Sequence, residues 1–396
     1  MPIINRIADF HAEMTGWRHQ LHAHPETAFE EHNTAAFVAE RLESFGVAVT
    51  RGIAGTGVVG TLHGSTPGTG AIALRADMDA LHIDEQNQFS HISQQRGRMH
   101  ACGHDCHTAM LLGAAKHLAE TRNFAGTIHL IFQPAEENEG GARVMIEQGV
   151  LDKYPVDAVF GMHNWPELPA GQFAIQPGPM MAAFDIFEIK ITGRGGHAAM
   201  PHLAVDPIVT AAQIVNALQT IASRNIHPLE SAVVSVTQIH GGDTWNVIPE
   251  TVVLRGTTRS FSPAVRDRME PLHRRIAEGA CAGCGAEMEL LYERRYPPTL
   301  NAAAETEQAA AAAAAIVGES NVERRLMPSM GAEDFAFFLE KKPGAYIWIG
   351  NGTAQGGGML HSPHYDFNDA ILPLGASYWV QLAEKVLSKD HPSARD

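Results

Sequence analysis

Between Ala71 and Met162 the chain repeats one arrangement, and it limits the possible folds more than any other feature. Ala71-Ile-Ala-Leu-Arg75, Thr127-Ile-His-Leu-Ile-Phe132 and Ala158-Val-Phe-Gly-Met162 are β-type runs, long enough for strands and too short for helices. A helical pattern separates the first two: from Thr108 to Thr121, the residues Met110, Leu111, Ala114, Ala115 and Leu118 fall on one face. Each run leads into polar residues, namely Arg75-Ala-Asp-Met-Asp79, Gln133-Pro-Ala-Glu-Glu137 and His163-Asn-Trp-Pro166. Strands alternating with helices predict an α/β fold with helices on both faces of a sheet, and ligands in such folds gather at strand ends.

Near Gly178-Pro-Met-Met181 the pattern changes. Strands are expected at Phe184–Thr192, Ala232–Ile239, Thr251–Thr258 and Ala286–Tyr292, with helices at Pro207–Ser223 and Pro263–Cys281. That β-α-β-β-α-β order is the split βαβ, ferredoxin-like pattern. After Pro297-Pro298 the α/β character returns, and the alanine run Ala309–Ala315 reads as a helix closed by Gly318. A chain of 396 residues exceeds one compact core. Residues 1–183 and 298–396 are therefore expected to form a mixed-sheet domain, interrupted by an α+β domain over residues 184–297.

Met99-His-Ala-Cys-Gly-His-Asp-Cys-His107 sets three histidines, two cysteines and an aspartate directly before the Thr108 helix. Buried polar groups need partners, so the run suits a metal site better than an apolar core. Four places offer ligands: Cys102 with His104, Glu136 with Glu137, His163, and His361 in Leu360-His-Ser-Pro363. Read as extended chain, Cys102 and His104 point the same way and reach one pair of ions. The adjacent Glu136 and Glu137 point apart, so one ligates while the other polarises water. Cys106 and His107 are assigned to the helix start, and Cys281-Ala-Gly-Cys284 to a helix end. Two readings stand for Asp77, Asp79 and Asp105: acceptors behind ligating histidines, or caps and salt-bridge partners. Gly331-Ala-Glu-Asp-Phe335 reads as a helix N-terminus with acidic first-turn residues, or as backbone N–H groups for a substrate carboxylate.

A net charge of −15 argues against a nucleic-acid or anionic-membrane partner. Four cysteines, two of them in the proposed metal run, make no disulfide framework and predict a cytoplasmic protein. The start Met1-Pro-Ile-Ile-Asn-Arg6 lacks the pattern of a signal peptide, and no apolar window is long enough to span a membrane.

His100-Ala-Cys-Gly-His-Asp105, Gln133-Pro-Ala-Glu-Glu137, Gly161-Met-His-Asn-Trp-Pro166 and Leu360-His-Ser-Pro363 together resemble the M20 metallopeptidase family. More narrowly they resemble its amidohydrolase branch of hippurate hydrolases, N-acyl-amino-acid amidohydrolases and auxin-conjugate hydrolases. The resemblance extends from Trp17-Arg-His-Gln-Leu-His22 to Trp379 and includes Gly193-Arg-Gly-Gly-His197, Asn246-Val-Ile-Pro249 and Met330-Gly-Ala-Glu-Asp-Phe335. It implies two divalent metal ions (zinc, manganese, cobalt or nickel), with Cys102 bridging, His104 and His163 completing one site, and Glu137 and His361 the other. It makes Glu136 the general base. The inserted domain becomes a lid that carries His197 across a dimer contact and Asn246 to the substrate, in a homodimer or homotetramer. The implied reaction is hydrolysis of the amide bond of an N-acyl amino acid. The alternatives are a dipeptidase, an acyl-diaminopimelate deacylase, or a non-catalytic metal-binding homodimer. This chain departs from the family in carrying Arg75-Ala-Asp77 where many members have His-x-Asp, His82 after Leu81 in place of proline, and Glu139 in place of glycine.

Overall fold

Residues 3–352 and 358–388 are described by the computed structural model. Met1 and Pro2, part of the stretch read for a signal peptide, lie outside the described residues. The chain divides into two compact units: Met1–Met180, Leu300–Met327 and Asp334–Asp396 make up the first, Met181–Thr299 and Pro328–Glu333 the second.

In the first unit eight strands form one mixed sheet, in the order Ala48–Ile53, Gly57–His63, Ala125–Gln133, Thr66–Asp77, Ala158–Trp165, Gly344–Gly350, Phe173–Ala174 and Val322–Glu323. The four from Ala125–Gln133 to Gly344–Gly350 pair in parallel, so their C-terminal ends emerge along one side of the sheet. Both faces of these strands are covered, which is why they read as continuous apolar runs. Ile72, Leu74, Ala76, Phe160, Met162, Ile347 and Ile349 enter one core cluster with Met14, Leu111, Leu118 and Trp379 of the packed helices. The alternate positions look the other way. There the Arg75 guanidinium lies 5.8 Å from the Phe335 ring, and Tyr346 packs 5.3 Å from the same ring. Gly161 leaves room for them, since a Cβ there would stand 2.5 Å from the Tyr346 ring. The alanine run forms the helix Ala303–Val317, and Gly318 follows it at φ +83°.

The second unit holds a four-stranded antiparallel sheet in the order Ala232–His240, Thr251–Ser260, Ala183–Thr192, Glu287–Tyr296. Alternation sends Phe187, Ile189 and Ile191 into a core shared with Ile214 and Leu218 of the helix Pro207–Leu218 and with Met269 and Leu272 of the helix Pro263–Cys284. This is the split βαβ topology. Pro207 opens its helix behind Asp206, whose carboxylate accepts from the Ile208 and Val209 amides. That helix stops at Leu218, short of the Ser223 expected, and a π-helical turn covers Ile221–Asn225. Here the Thr220 hydroxyl donates to the Ala217 carbonyl at 2.6 Å and the Asn225 amide to the Thr220 carbonyl at 2.8 Å, taking those acceptors away from a regular ladder.

Candidate metal centre

At the ends of the parallel strands the first unit gathers five of the predicted ligands and the predicted base. Ligand atoms of Cys102, His104 and His163 lie within 4.8 Å of one another, as do those of Cys102, Glu137 and His361, and those of His104, Glu136 and Glu137. Cys102 thus belongs to two sets, with its Sγ 3.4 Å from His163 Nε2. His361 Nε2 stands 3.2 Å from Glu137 Oε1.

Hydrogen bonds fix which nitrogen each inner histidine presents. His104 Nδ1 donates to the Asp79 carbonyl at 2.9 Å and to Asp79 Oδ1 at 3.1 Å. His163 Nδ1 donates to the Asn164 carbonyl at 2.6 Å. Each ring therefore turns an Nε2 lone pair inward. His104 Nε2 is buried and has no hydrogen-bond partner among the described residues.

The charges around these atoms call for cations. Burial pulls the His104 imidazole down, but Asp77 and the Asp79 hydrogen bond outweigh it and carry the pKa up to about 10, so the Nε2 lone pair is freed for a metal only when the cation displaces the proton there. Burial, with Glu137 and Glu136 beside it, pushes the Cys102 thiol well above its ordinary range. A buried thiolate among carboxylates needs positive charge next to it, and a metal ion supplies that while discharging the thiol proton. Thiolate, imidazole and carboxylate donors with one shared ligand fit a pair of divalent metals.

Several local expectations are corrected by the backbone. Cys102 and His104 do not alternate along an extended segment. Gly103 takes φ +88° and the helix starts at His104, not Thr108, spanning His104–Thr121. A left-handed turn brings the two side chains together. A Cβ on Gly103 would lie 2.3 Å from Asn164 Nδ2, so glycine is required there. Glu136 and Glu137 likewise sit in a turn, flanked by Ala135 at φ +53° and Asn138 at φ +69°.

Among the aspartates, Asp79 stands behind His104 and also accepts from the Glu137 amide at 2.9 Å. Asp77 accepts from His107 Nδ1 at 2.6 Å and from the Arg75 guanidinium at 2.6 Å. Asp105 faces away from the centre, 2.9 Å from His22 Nδ1 and 3.5 Å from Arg18.

The helix expected at Gly331 is only Ala336–Leu339. The Asp334 carboxylate does not cap it. It accepts instead from Arg75 at 2.8 Å, from Gln133 at 2.9 Å and from the Ala142 amide at 2.9 Å. The Asp334 amide in turn donates to Glu136 Oε1 at 3.3 Å. Sequence reasoning missed this knot of Arg75, Gln133 and Asp334 beneath the base. The available signal was a buried-type arginine inside an apolar strand, which needs carboxylate partners.

His197 and Asn246 belong to the second unit and come together there. Val247 pairs with His197, and the Ala198 amide donates to the Asn246 carbonyl at 3.0 Å. His197 is exposed, and its Nδ1 accepts from the Ala199 amide at 3.1 Å, which leaves Nε2 to carry the proton of the neutral ring. Cys281 and Cys284 end the helix Pro263–Cys284 with no disulfide between them.

An α/β sheet with a clustered Cys–His–Glu centre at its strand ends defines a metal-dependent hydrolase. Residues 73–385 match the model of peptidase family M20/M25/M40, and the chain belongs to that family. It is 42% identical to the N-acetylcysteine deacetylase of Bacillus subtilis over 96% of this chain and 98% of that one. It is 40% identical to the hippurate hydrolase of Campylobacter jejuni over 98% of this chain and 100% of that one. The crystal structure of a dinuclear metal-binding M20 peptidase from Bacillus subtilis, 37% identical, superposes with a TM-score of 0.84, covering 96% and 99% of the two chains. The protein is a hydrolase acting on amide bonds.

Proposed function

We propose that the chain hydrolyses the amide bond of N-acyl amino acids, releasing a carboxylic acid and an amino acid. The observation that carries this reading is the convergence of Cys102, His104, His163, Glu137 and His361 beside the buried Glu136. Relatives named for N-acetylcysteine and hippurate, both N-acyl amino acids, support the substrate class.

Cys102, His104 and His163 would hold one metal ion, and Cys102, Glu137 and His361 a second. When bound, the two cations polarise the scissile carbonyl and acidify water. The remaining work falls to side chains. Glu136, held by the Asp334 amide, takes a proton from the attacking water and hands it to the departing amine nitrogen. His197 is assigned the developing oxyanion, for which an Nε2–H donor is suited, and Asn246 the substrate.

Zinc suits the thiolate and imidazole donors, while manganese, cobalt and nickel suit the mixed set. A reducing, cytoplasmic setting agrees with four free cysteines, and among the described residues no helix is long and apolar enough to cross a membrane.

The test is a panel of N-acetyl, N-benzoyl and indole-acyl amino acids and of dipeptides, assayed with each of the four metals. Acyl amino acids are expected to be cleaved faster than dipeptides. A preference for dipeptides would overturn the substrate class.

A further inference from the structure

Asn164 follows the ligand His163 and has no role in the chemistry described above. It nevertheless touches three parts of the centre at once. Its side-chain Nδ2 donates to the Cys102 carbonyl at 2.7 Å. Its backbone amide donates to His107 Nε2 at 3.0 Å, and the His107 Nδ1–H in turn donates to Asp77 Oδ1 at 2.6 Å. Its own carbonyl accepts from His163 Nδ1. The remaining group, Asn164 Oδ1, accepts from the Tyr365 hydroxyl at 2.7 Å. Both residues are fully buried.

Direction runs through this set. The Tyr365 hydroxyl can donate only once, and by donating to Oδ1 it fixes which end of the Asn164 amide is the donor. The fixed Nδ2 then holds the carbonyl of Cys102, one bond before the left-handed Gly103. That turn is moulded on the same pair: a Cβ at Gly103 would stand 2.3 Å from Asn164 Nδ2 and 2.6 Å from the Tyr365 hydroxyl oxygen. The backbone of the shared thiolate is thus clamped by two side chains that are not ligands themselves.

We propose that Asn164 and Tyr365 are positioning residues for the Cys102 thiolate, acting through the Cys102 carbonyl and the Gly103 turn. The proposal rests on the reading of Cys102 as a metal ligand. Partners behind a ligand typically alter metal affinity by about 10- to 100-fold when removed, and no substrate contact is needed for that effect.

The experiment uses full-length protein stripped of metal and titrated with Co²⁺, read by thiolate-to-cobalt charge-transfer absorption and by competition with a chelator. Tyr365→Phe keeps the ring and removes only the hydroxyl. Asn164→Asp keeps the acceptor for Tyr365 and removes the donor to Cys102. Both are expected to bind Co²⁺ roughly 10- to 100-fold more weakly and to shift or weaken the charge-transfer band, while the metal-free melting temperature of Tyr365→Phe stays close to the parental value. If Asn164→Asp does not fold, Tyr365→Phe alone decides. Parental affinity and an unchanged band in Tyr365→Phe would overturn the proposal and leave the ligand assignment standing. Absence of any thiolate band in the parental protein would overturn the assignment of Cys102, and the proposal with it.

Discussion

At the scale of single residues, the centre places two adjacent glutamates in different surroundings. Glu137 stands 3.2 Å from His361 and is held at its amide by Asp79. Glu136 is held by the Asp334 amide. Glu136→Gln keeps the size and the hydrogen-bond acceptor but removes the proton carrier. It is expected to retain both metals by elemental analysis while kcat falls by about 10²- to 10⁴-fold. In parallel, His197→Ala is expected to lower kcat at unchanged metal content. Parental turnover in either variant would remove that residue from the mechanism.

The residue types that cluster at the centre were legible from the run Met99–His107 and from the polar residues that follow the apolar runs, because metal donors in such density have few other uses. Partner choice was not legible. Asp105 lies beside His104 in sequence, yet it serves Arg18 and His22, whereas Asp79, distant in sequence, orients the His104 ring. Side-chain direction at the first turn of a helix depends on where the helix begins, and Gly103 moves that start forward to His104.

At the scale of elements, the short connections decide the geometry. Strand and helix positions followed from apolar periodicity, but the turns at Gly103 and at Ala135–Asn138 did not, since positive φ at a single residue leaves no periodic trace. Gly103→Ala is expected to disrupt the centre more than the fold. The left-handed conformation costs an alanine roughly 1–2 kcal/mol, and the added Cβ would press on Asn164 and Tyr365. Metal content should fall sharply while far-UV circular dichroism keeps its helical signature. Full metal occupancy in this variant would show that the turn tolerates a side chain. The helix that stopped at Leu218 illustrates the same limit: hydroxyl and amide side chains near a terminus compete for backbone carbonyls, and composition alone does not say which bond wins.

At the scale of the molecule, a buried charge network ties remote segments of the first unit together. Arg18 meets Asp105, Asp366 and Asp369, and His22 bridges Asp105 at 2.9 Å and Glu85 at 3.0 Å. Burial lowers the His22 pKa, but its hydrogen bonds to Asp105 and Glu85 outweigh that and raise it from 6.5 to about 9. A histidine that binds its proton more tightly when folded stabilises the fold fully below pH 6.5, and that contribution is lost as pH rises through about 9. Denaturant unfolding of the parental protein should therefore weaken between pH 6.5 and 9 more steeply than that of His22→Asn. Equal slopes would show that His22 is not charged in the folded state.

Sequence by itself determined the α/β class, the ferredoxin-like strand and helix order of the insert, and the residue types at the centre. Each of these is written in local periodicity or in side-chain chemistry that has no cheaper use. Only the tertiary structure decided that His104 opens a helix, that Asp79 and not Asp105 backs it, and that Asp334 reaches the centre from a segment far along the chain. Those choices depend on positive-φ turns and on buried polar groups finding partners across the sheet, and neither leaves a pattern in neighbouring residues.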